Sequence, residues 1–160
     1  MHDYLEQQEY RHQKHETTVF LQEPDIKYGT GGLRDLQGIQ WMGQMLLGSS
    51  RLDTLRKEAY LEKDEVLQLK QAYDFLLRVR NELHFQSKRY NNMLTLDKQP
   101  KIASKLGYKG PALSAVEAFM KDYYTHAQFI YRLSQHVGRS FAKAKPAKTK
   151  KKTTPKLSEG

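Results

Sequence analysis

The apolar side chains of this chain recur with the period of an α-helix, and alternation typical of a strand is rare. The β-rich run is confined to residues 17–21, a possible short extended piece before Glu23-Pro24. The predicted helices are about Asp3–His15, Gly32–Leu47, Leu52–Tyr60, Lys63–Lys88, Lys98–Leu106 and from Gly110-Pro111 to about Phe141. The pattern therefore predicts an all-α fold, a single bundle of about five helices.

Two long helices have apolar stripes that predict burial. The stripe of the last helix consists of Val116, Phe119, Met120, Tyr123, Ala127, Ile130, Ser134, Val137 and Phe141. The stripe at 63–88 consists of Val66, Leu69, Tyr73, Leu76, Leu77 and Leu83. Arg80 and His84 interrupt that second stripe and lie four residues apart, so they are close enough to act together.

Composition divides the chain into a helical domain at 1–141 and a tail at 142–160. The tail has seven lysines and one acid, so it carries +6 of the formal charge of +9. Its low apolar content predicts a disordered tail or interdomain linker. Because the remaining body carries only about +3, we do not expect a nucleic-acid surface.

Several classes of protein are disfavoured by what the sequence lacks. It has no cysteine, which excludes disulfides and thiolate metal sites. It also has no apolar run near 18 residues and no signal-peptide core at its start, so we expect no membrane partner and a cytoplasmic location. The histidine spacings do not match a catalytic zinc helix, and no metal site is expected.

The segment "EPDIKYGTGGLRDLQGIQW", residues 23–41, contains the strongest candidate chemistry. Gly29, Gly31 and Gly32 stand between Lys27 and Arg34, directly before a predicted helix. Since a helix N-terminus exposes unpaired N–H groups, a glycine-rich turn there is a candidate cradle for phosphate or carboxylate. The alternative is a tight turn in which the glycines supply positive φ and close backbone approach. The pattern matches neither a P-loop nor a dinucleotide fingerprint.

Two charged residues soon after the glycines bear on the choice between an anion cradle and a tight turn. Asp35 complements the positive helix N-terminus, as first-turn acids commonly do. Arg34 opposes the helix dipole at the same place. We therefore expect Arg34 to have an anionic partner, either a protein carboxylate or a ligand phosphate.

Four segments in order resemble the bacterial protein-PII uridylyltransferase/uridylyl-removing enzymes and, less closely, glutamine-synthetase adenylyltransferases. The first is the glycine segment, which is similar to Glu-Pro-Asn/Asp-Ile-Lys-x-Gly-x-Gly-Gly-Leu-Arg-Asp-Ile of that family. The others are "FLLRVRNELHF" at Phe75–Phe85, "LTLDKQPKIASKLGY" at Leu94–Tyr108 and "VEAFMKDYYTHAQFI" at Val116–Ile130. The resemblance covers about Tyr10 to Phe141.

The resemblance implies the helical region that follows the nucleotidyltransferase core in those enzymes. They transfer UMP from UTP to a tyrosine of the PII signalling protein and remove it again in nitrogen regulation, with Mg²⁺ at the transfer site. This chain has no Asp-x-Asp motif, and we do not expect it to contain the His-Asp metal pair that serves the removal reaction in that family. We therefore expect no cofactor in this chain itself, and no catalysis by it alone. Mg²⁺ and UTP are implied for a larger parent enzyme, whose nucleotidyltransferase core would be a partner in cis.

The implied site places Lys27, Gly29, Gly31, Gly32 and Arg34 near the nucleotide phosphates. Asp35, Arg80 and His84 would hold these residues in position. Two alternatives remain open for Arg80 and His84: contact with the phosphate, or a buried network to Asp35 or Asp97.

Other functions also remain open from sequence. The domain could recognise PII rather than the nucleotide. It could instead be a non-enzymatic interaction module whose basic tail binds nucleic acid or an acidic partner.

Overall fold

The computed structural model describes residues 2–15, 18–87 and 90–143. Its helices are α1 (His2–Lys14), α2 (Leu33–Leu47), α3 (Leu52–Lys57), α4 (Lys63–Gln86), α5 (Gln99–Lys105) and α6 (Ala112–Lys143). In these ranges no strand forms, and one isolated antiparallel bridge joins Asp25 to Met93. The all-α prediction is confirmed, with six helices where about five were expected. None of the described helices is long and apolar enough to cross a membrane.

The predictions for the tail and for part of the β-rich run fall on residues that the structure does not describe. Residues 144–160 lie outside the described residues, so the disordered tail remains a prediction. Residues 16 and 17 also lie outside them. Residues 18–21 are described and are not in a strand.

The core forms where α6 packs against α2, α4 and α5. Every residue of the predicted α6 stripe is buried except Val116, which is half-buried. In α4 the stripe is shifted: Tyr73 is 37% exposed, whereas Ala72 and Val79 are fully buried. The shift arises because α4 contacts α6, α2, α3 and α5, so the arc that it buries is set by several neighbours.

A short pairing of irregular segments brings the glycine turn to the end of α4. The N–H of Ile26 donates to Asn92 O at 2.9 Å, and the N–H of Leu94 donates to Pro24 O at 2.9 Å. The side-chain amide of Gln99 donates to Gln22 O at 2.7 Å and ties the same two segments together. Residues 70 positions apart in sequence thereby share one surface.

The glycine turn also packs directly on α6. Gly31 has φ +75°, and a Cβ there would lie 2.1 Å from Ala127 O. An L side chain would therefore meet both an unfavourable backbone conformation and the α6 backbone. The tight-turn reading of Gly31 is confirmed.

Candidate functional site

The backbone of the glycine turn, residues 25–34, closes on itself. Leu33 and Arg34, in the first turn of α2, donate their N–H groups to Ile26 O and Lys27 O at 3.0 and 2.9 Å. The amides of this turn that donate within the chain include those of Ile26, Lys27, Tyr28, Gly29, Gly31, Gly32, Leu33 and Arg34. The turn is therefore not the expected cradle of free N–H groups, because these donors already have protein acceptors. An anion at this place would be bound by side chains.

Asp35 points into the protein and has several partners. Its carboxylate is fully buried and accepts the N–H of Gly31 at 2.8 Å. From α1 it accepts hydrogen bonds from Gln8 Nε2 at 3.1 Å and from the Arg11 guanidinium. The Nε2 atom of His12 lies 2.9 Å from each carboxylate oxygen. We call these five residues the Asp35 cluster. The buried charge is compensated by α1, a helix for which the sequence analysis predicted no role in the site.

The opposite side of the turn carries alternating cations and aromatic rings. We call this the basic–aromatic surface; its members are Lys27, Tyr28, Arg34, Trp41, Arg80, His84 and Tyr90. All of them are exposed or half-buried. The structure thus brings together four of the predicted site residues, Lys27, Arg34, Arg80 and His84, from α2, α4 and the turn.

Lys27 occupies the middle of this surface. Its Nζ lies 4.7 Å from the ring centroid of Tyr28 and 5.6 Å from that of Tyr90. Interaction with the Lys27 ammonium group lowers the pKa of the Tyr28 hydroxyl below its ordinary value, and Arg34 adds to the effect. Two cations, Lys27 and Arg34, thus lie beside the ring of Tyr28.

Arg34 forms one end of the surface. Its guanidinium carbon lies 5.7 Å from the Tyr28 ring centroid and 5.2 Å from that of Trp41. Its Nη1 donates to Gln37 Oε1 at 3.3 Å. The anionic partner expected for Arg34 is not a carboxylate of the described residues, since these contacts are to neutral groups.

Arg80 and His84 form the other end. Arg80 Nε donates to Asn92 Oδ1 at 3.1 Å, and Nη2 donates to the Tyr90 hydroxyl. The His84 ring lies 4.7 Å from the Tyr90 ring between centroids. The predicted network to Asp35 or Asp97 is therefore wrong, because Asp35 faces α1 and Arg80 bonds to neutral acceptors.

The ion pairs of the described residues separate the two regions. Those that the structure contains join Asp35 to Arg11 and to His12. Lys27, Arg34 and Arg80 have no described carboxylate within ion-pair distance. The charge of Asp35 is thus compensated within the protein, whereas Lys27, Arg34 and Arg80 have no anionic partner among the described residues.

Sequence reasoning missed six of these contributors. Tyr28 and Trp41 lay inside the quoted glycine segment, and interleaved aromatic and basic residues were the available signal. Gln8, Arg11 and His12 gave no signal, since nothing in their spacing indicates a partner more than 20 residues away. Tyr90 was equally unmarked.

Comparison with known proteins gives a consistent family. A family model described as GlnD PII-uridylyltransferase matches residues 1–137. A bifunctional uridylyltransferase/uridylyl-removing enzyme of Hydrogenovibrio crunogenus is 37% identical over 136 residues, which cover 82% of this chain and 15% of that protein. Enzymes of the same description from Photobacterium profundum and Haemophilus influenzae are 34% and 36% identical over 88% and 81% of the chain.

The length of these relatives limits what the similarity covers. The chain spans only 15–16% of their length. No solved structure matches the chain. The similarity thus concerns one helical portion of much longer proteins.

Proposed function

Because the chain belongs to the GlnD PII-uridylyltransferase family, we propose that it is a helical domain of a uridylyltransferase whose basic–aromatic surface binds the phosphates of UTP. One observation carries this: Lys27, Arg34 and Arg80 share a surface without a described carboxylate partner. Cations that have no carboxylate partner among the described residues, at a partly buried surface, favour an anionic ligand. A triphosphate offers several charges to several cations at once.

The aromatic rings restrict the conformations of these basic side chains before a ligand binds. Contacts with Tyr28, Trp41 and Tyr90 hold the long basic side chains in place without neutralising them. Less side-chain entropy is then lost when a phosphate binds. Arg34 and Arg80 can each offer a planar set of N–H donors, whereas Lys27 supplies a compact charge between them.

In the longer enzyme this surface would form one wall of the nucleotide cleft, opposite a nucleotidyltransferase core in cis. Mg²⁺ bound with UTP would neutralise the triphosphate and assist transfer of UMP to PII. Among the described residues no three His, Asp or Glu side chains form a group that could hold a metal ion. We therefore assign its ligands to none of the described residues, and we propose that the basic–aromatic surface binds and orients the phosphates.

A binding experiment tests this proposal on the full 160-residue chain. Calorimetric titration with UTP and with inorganic tripolyphosphate should show saturable binding, and Arg34→Ala and Lys27→Ala should weaken it. A charge-assisted hydrogen bond contributes about 1.5–3 kcal/mol, so the expected loss is roughly 10–100-fold in affinity. The matched control is Arg132→Ala, which removes an exposed arginine of α6 outside this surface.

The same variants in the complete enzyme separate nucleotide recognition from PII recognition. We expect Arg34→Ala to lower kcat/KM for UTP and to leave the KM for PII unchanged. A raised KM for PII with normal UTP kinetics would instead assign the surface to docking of PII in nitrogen regulation. Equal behaviour of Arg34→Ala and Arg132→Ala would reject both roles and leave a structural turn.

A further inference from the structure

α1 is held against the molecule mainly by polar contacts. Among its described side chains, the buried ones are Gln8 and His12, and both are polar. Tyr4 and Leu5 add only partly buried apolar surface. A helix of 13 residues is marginal on its own in water, so its position here depends on the groups it contacts.

The first path from α1 to the candidate site is a chain of hydrogen bonds. Arg11 and His12 bind the carboxylate of Asp35, which in turn accepts the N–H of Gly31 at 2.8 Å. Gly31 lies in the turn that carries Lys27, against the backbone of α6. Because Asp35 is fully buried, its charge requires these partners, and loss of α1 would remove most of them.

The second path is aromatic and does not pass through Asp35. The Tyr4 ring meets Trp41 edge-on, with 6.2 Å between centroids and an interplanar angle of 87°. The other contact of Trp41 is Arg34, 5.2 Å from its ring centroid. Gly38 makes room for this arrangement, because a Cβ there would lie 1.7 Å from the Tyr4 hydroxyl.

We propose that docking of α1 and anion binding at the basic–aromatic surface are coupled, with Tyr4 and Arg11 as positioning residues. Through the two paths, α1 holds the glycine turn and Arg34 in the arrangement that the ligand requires. The ligand part of this inference rests on the proposed function. Since coupling is reciprocal, a bound anion would also hold α1 more firmly.

Residue-resolved hydrogen exchange on the full 160-residue chain is the primary test, because it needs no ligand. The variants are Tyr4→Ala and Arg11→Gln. The matched control is Tyr10→Ala, which removes the same side chain from the same helix at a position that is 67% exposed. We expect both variants to speed exchange about 10-fold in α1 and in the amides of residues 29–34, and the control to change neither.

Titration with UTP and tripolyphosphate supplies the second readout. Tyr4→Ala and Arg11→Gln should lower both affinities about 10-fold, although neither residue belongs to the surface. Saturating UTP should slow exchange in wild-type α1. Faster exchange in α1 with unchanged exchange in the turn would overturn the coupling, as would loosened α1 with unchanged affinity.

The outcomes keep this inference separate from the proposed function. If the wild-type chain binds neither UTP nor tripolyphosphate, the proposed phosphate binding is wrong. The hydrogen exchange of residues 29–34 in the α1 variants then still tests whether α1 positions the glycine turn. If Arg11→Gln fails to fold, Tyr4→Ala still decides, because it leaves the Asp35 cluster intact.

Discussion

Arg34 and Asp35 are neighbours in the first turn of α2, yet they belong to two opposite electrostatic regions. Asp35 is fully buried and accepts hydrogen bonds from α1 and from Gly31. Arg34 is half-buried and contacts two aromatic rings and Gln37. Two consecutive residues in one turn of helix thus differ: the charge of Asp35 is compensated within the protein, and that of Arg34 has no carboxylate partner among the described residues.

The difference teaches how to distinguish structural from functional charges in this domain. A buried carboxylate with donors from several elements stabilises the fold, because its removal would leave buried cations uncompensated. A cation held by rings and neutral acceptors adds little to stability and keeps its charge for a partner. Predictions on the two regions should therefore diverge.

The largest effect is expected from Asp35→Asn. This change leaves Arg11 without its anion, and breaking such a buried pair costs about 3–5 kcal/mol in the free energy of unfolding. Urea denaturation of the variant would measure the loss. Arg34→Ala is the adjacent control, and it should change the free energy of unfolding by less than about 1 kcal/mol. Similar losses for the two variants would erase the distinction between the regions.

Gly31→Ala should have the next largest effect on stability. The new Cβ would lie 2.1 Å from Ala127 O at a residue with φ +75°, so overpacking and backbone strain add to about 2–4 kcal/mol. Gly48→Ala is the control, since Gly48 also has positive φ but open space around its Cβ position. Thermal unfolding should show about 1–2 kcal/mol for that control. A smaller loss for Gly31 than for Gly48 would contradict the packing of the turn on α6.

Ionic strength should change anion binding at the basic–aromatic surface more than it changes the stability contributed by the Asp35 cluster. Raising ionic strength from about 0.1 M to about 1 M shortens the Debye length from about 10 Å to about 3 Å. Tripolyphosphate affinity at the basic–aromatic surface should fall about 10-fold in calorimetric titrations, because exposed charges are screened. The loss in the free energy of unfolding caused by Asp35→Asn should vary by less than about 1 kcal/mol over the same range of ionic strength. Salt-independent anion binding would argue against this surface.

The smallest effect concerns the titration of Tyr28. The pKa of Tyr28 lies below its ordinary value because of Lys27, whereas burial and the bond to Asp122 raise the pKa of Tyr108. In a ¹³C-tyrosine NMR titration, Tyr28 should therefore ionise at lower pH than Tyr108. A lowered pKa in the folded state means that stability increases slightly as pH rises through the folded pKa.

Lys27→Met should raise the pKa of Tyr28 and leave that of Tyr108 unchanged. An unaltered Tyr28 titration in this variant would show that Lys27 is not the source of the shift. It would also argue against a close contact between the Lys27 ammonium group and Tyr28 in solution.

The sequence determined the fold class and most of the core by itself. Helical periodicity is local, so the stripe of α6 could be read from residues three and four apart and was confirmed nearly residue by residue. Ordered motif matches also gave the family, because their spacing survives without knowledge of the packing. Even so, the prediction was wrong about burial of Tyr73, because the buried arc of α4 depends on the several helices that pack against it.

Only the tertiary structure decided the partners of the charged residues. Asp35 meets Arg11 across 24 positions, and the bridge from Asp25 to Met93 brings Lys27 to Tyr90. The sequence placed Lys27, Arg34, Arg80 and His84 on a list of candidates, but it could not say that Asp35 turns away from them. Charge pairing depends on which surfaces meet when the helices pack. That information resides in distances and burial rather than in periodicity.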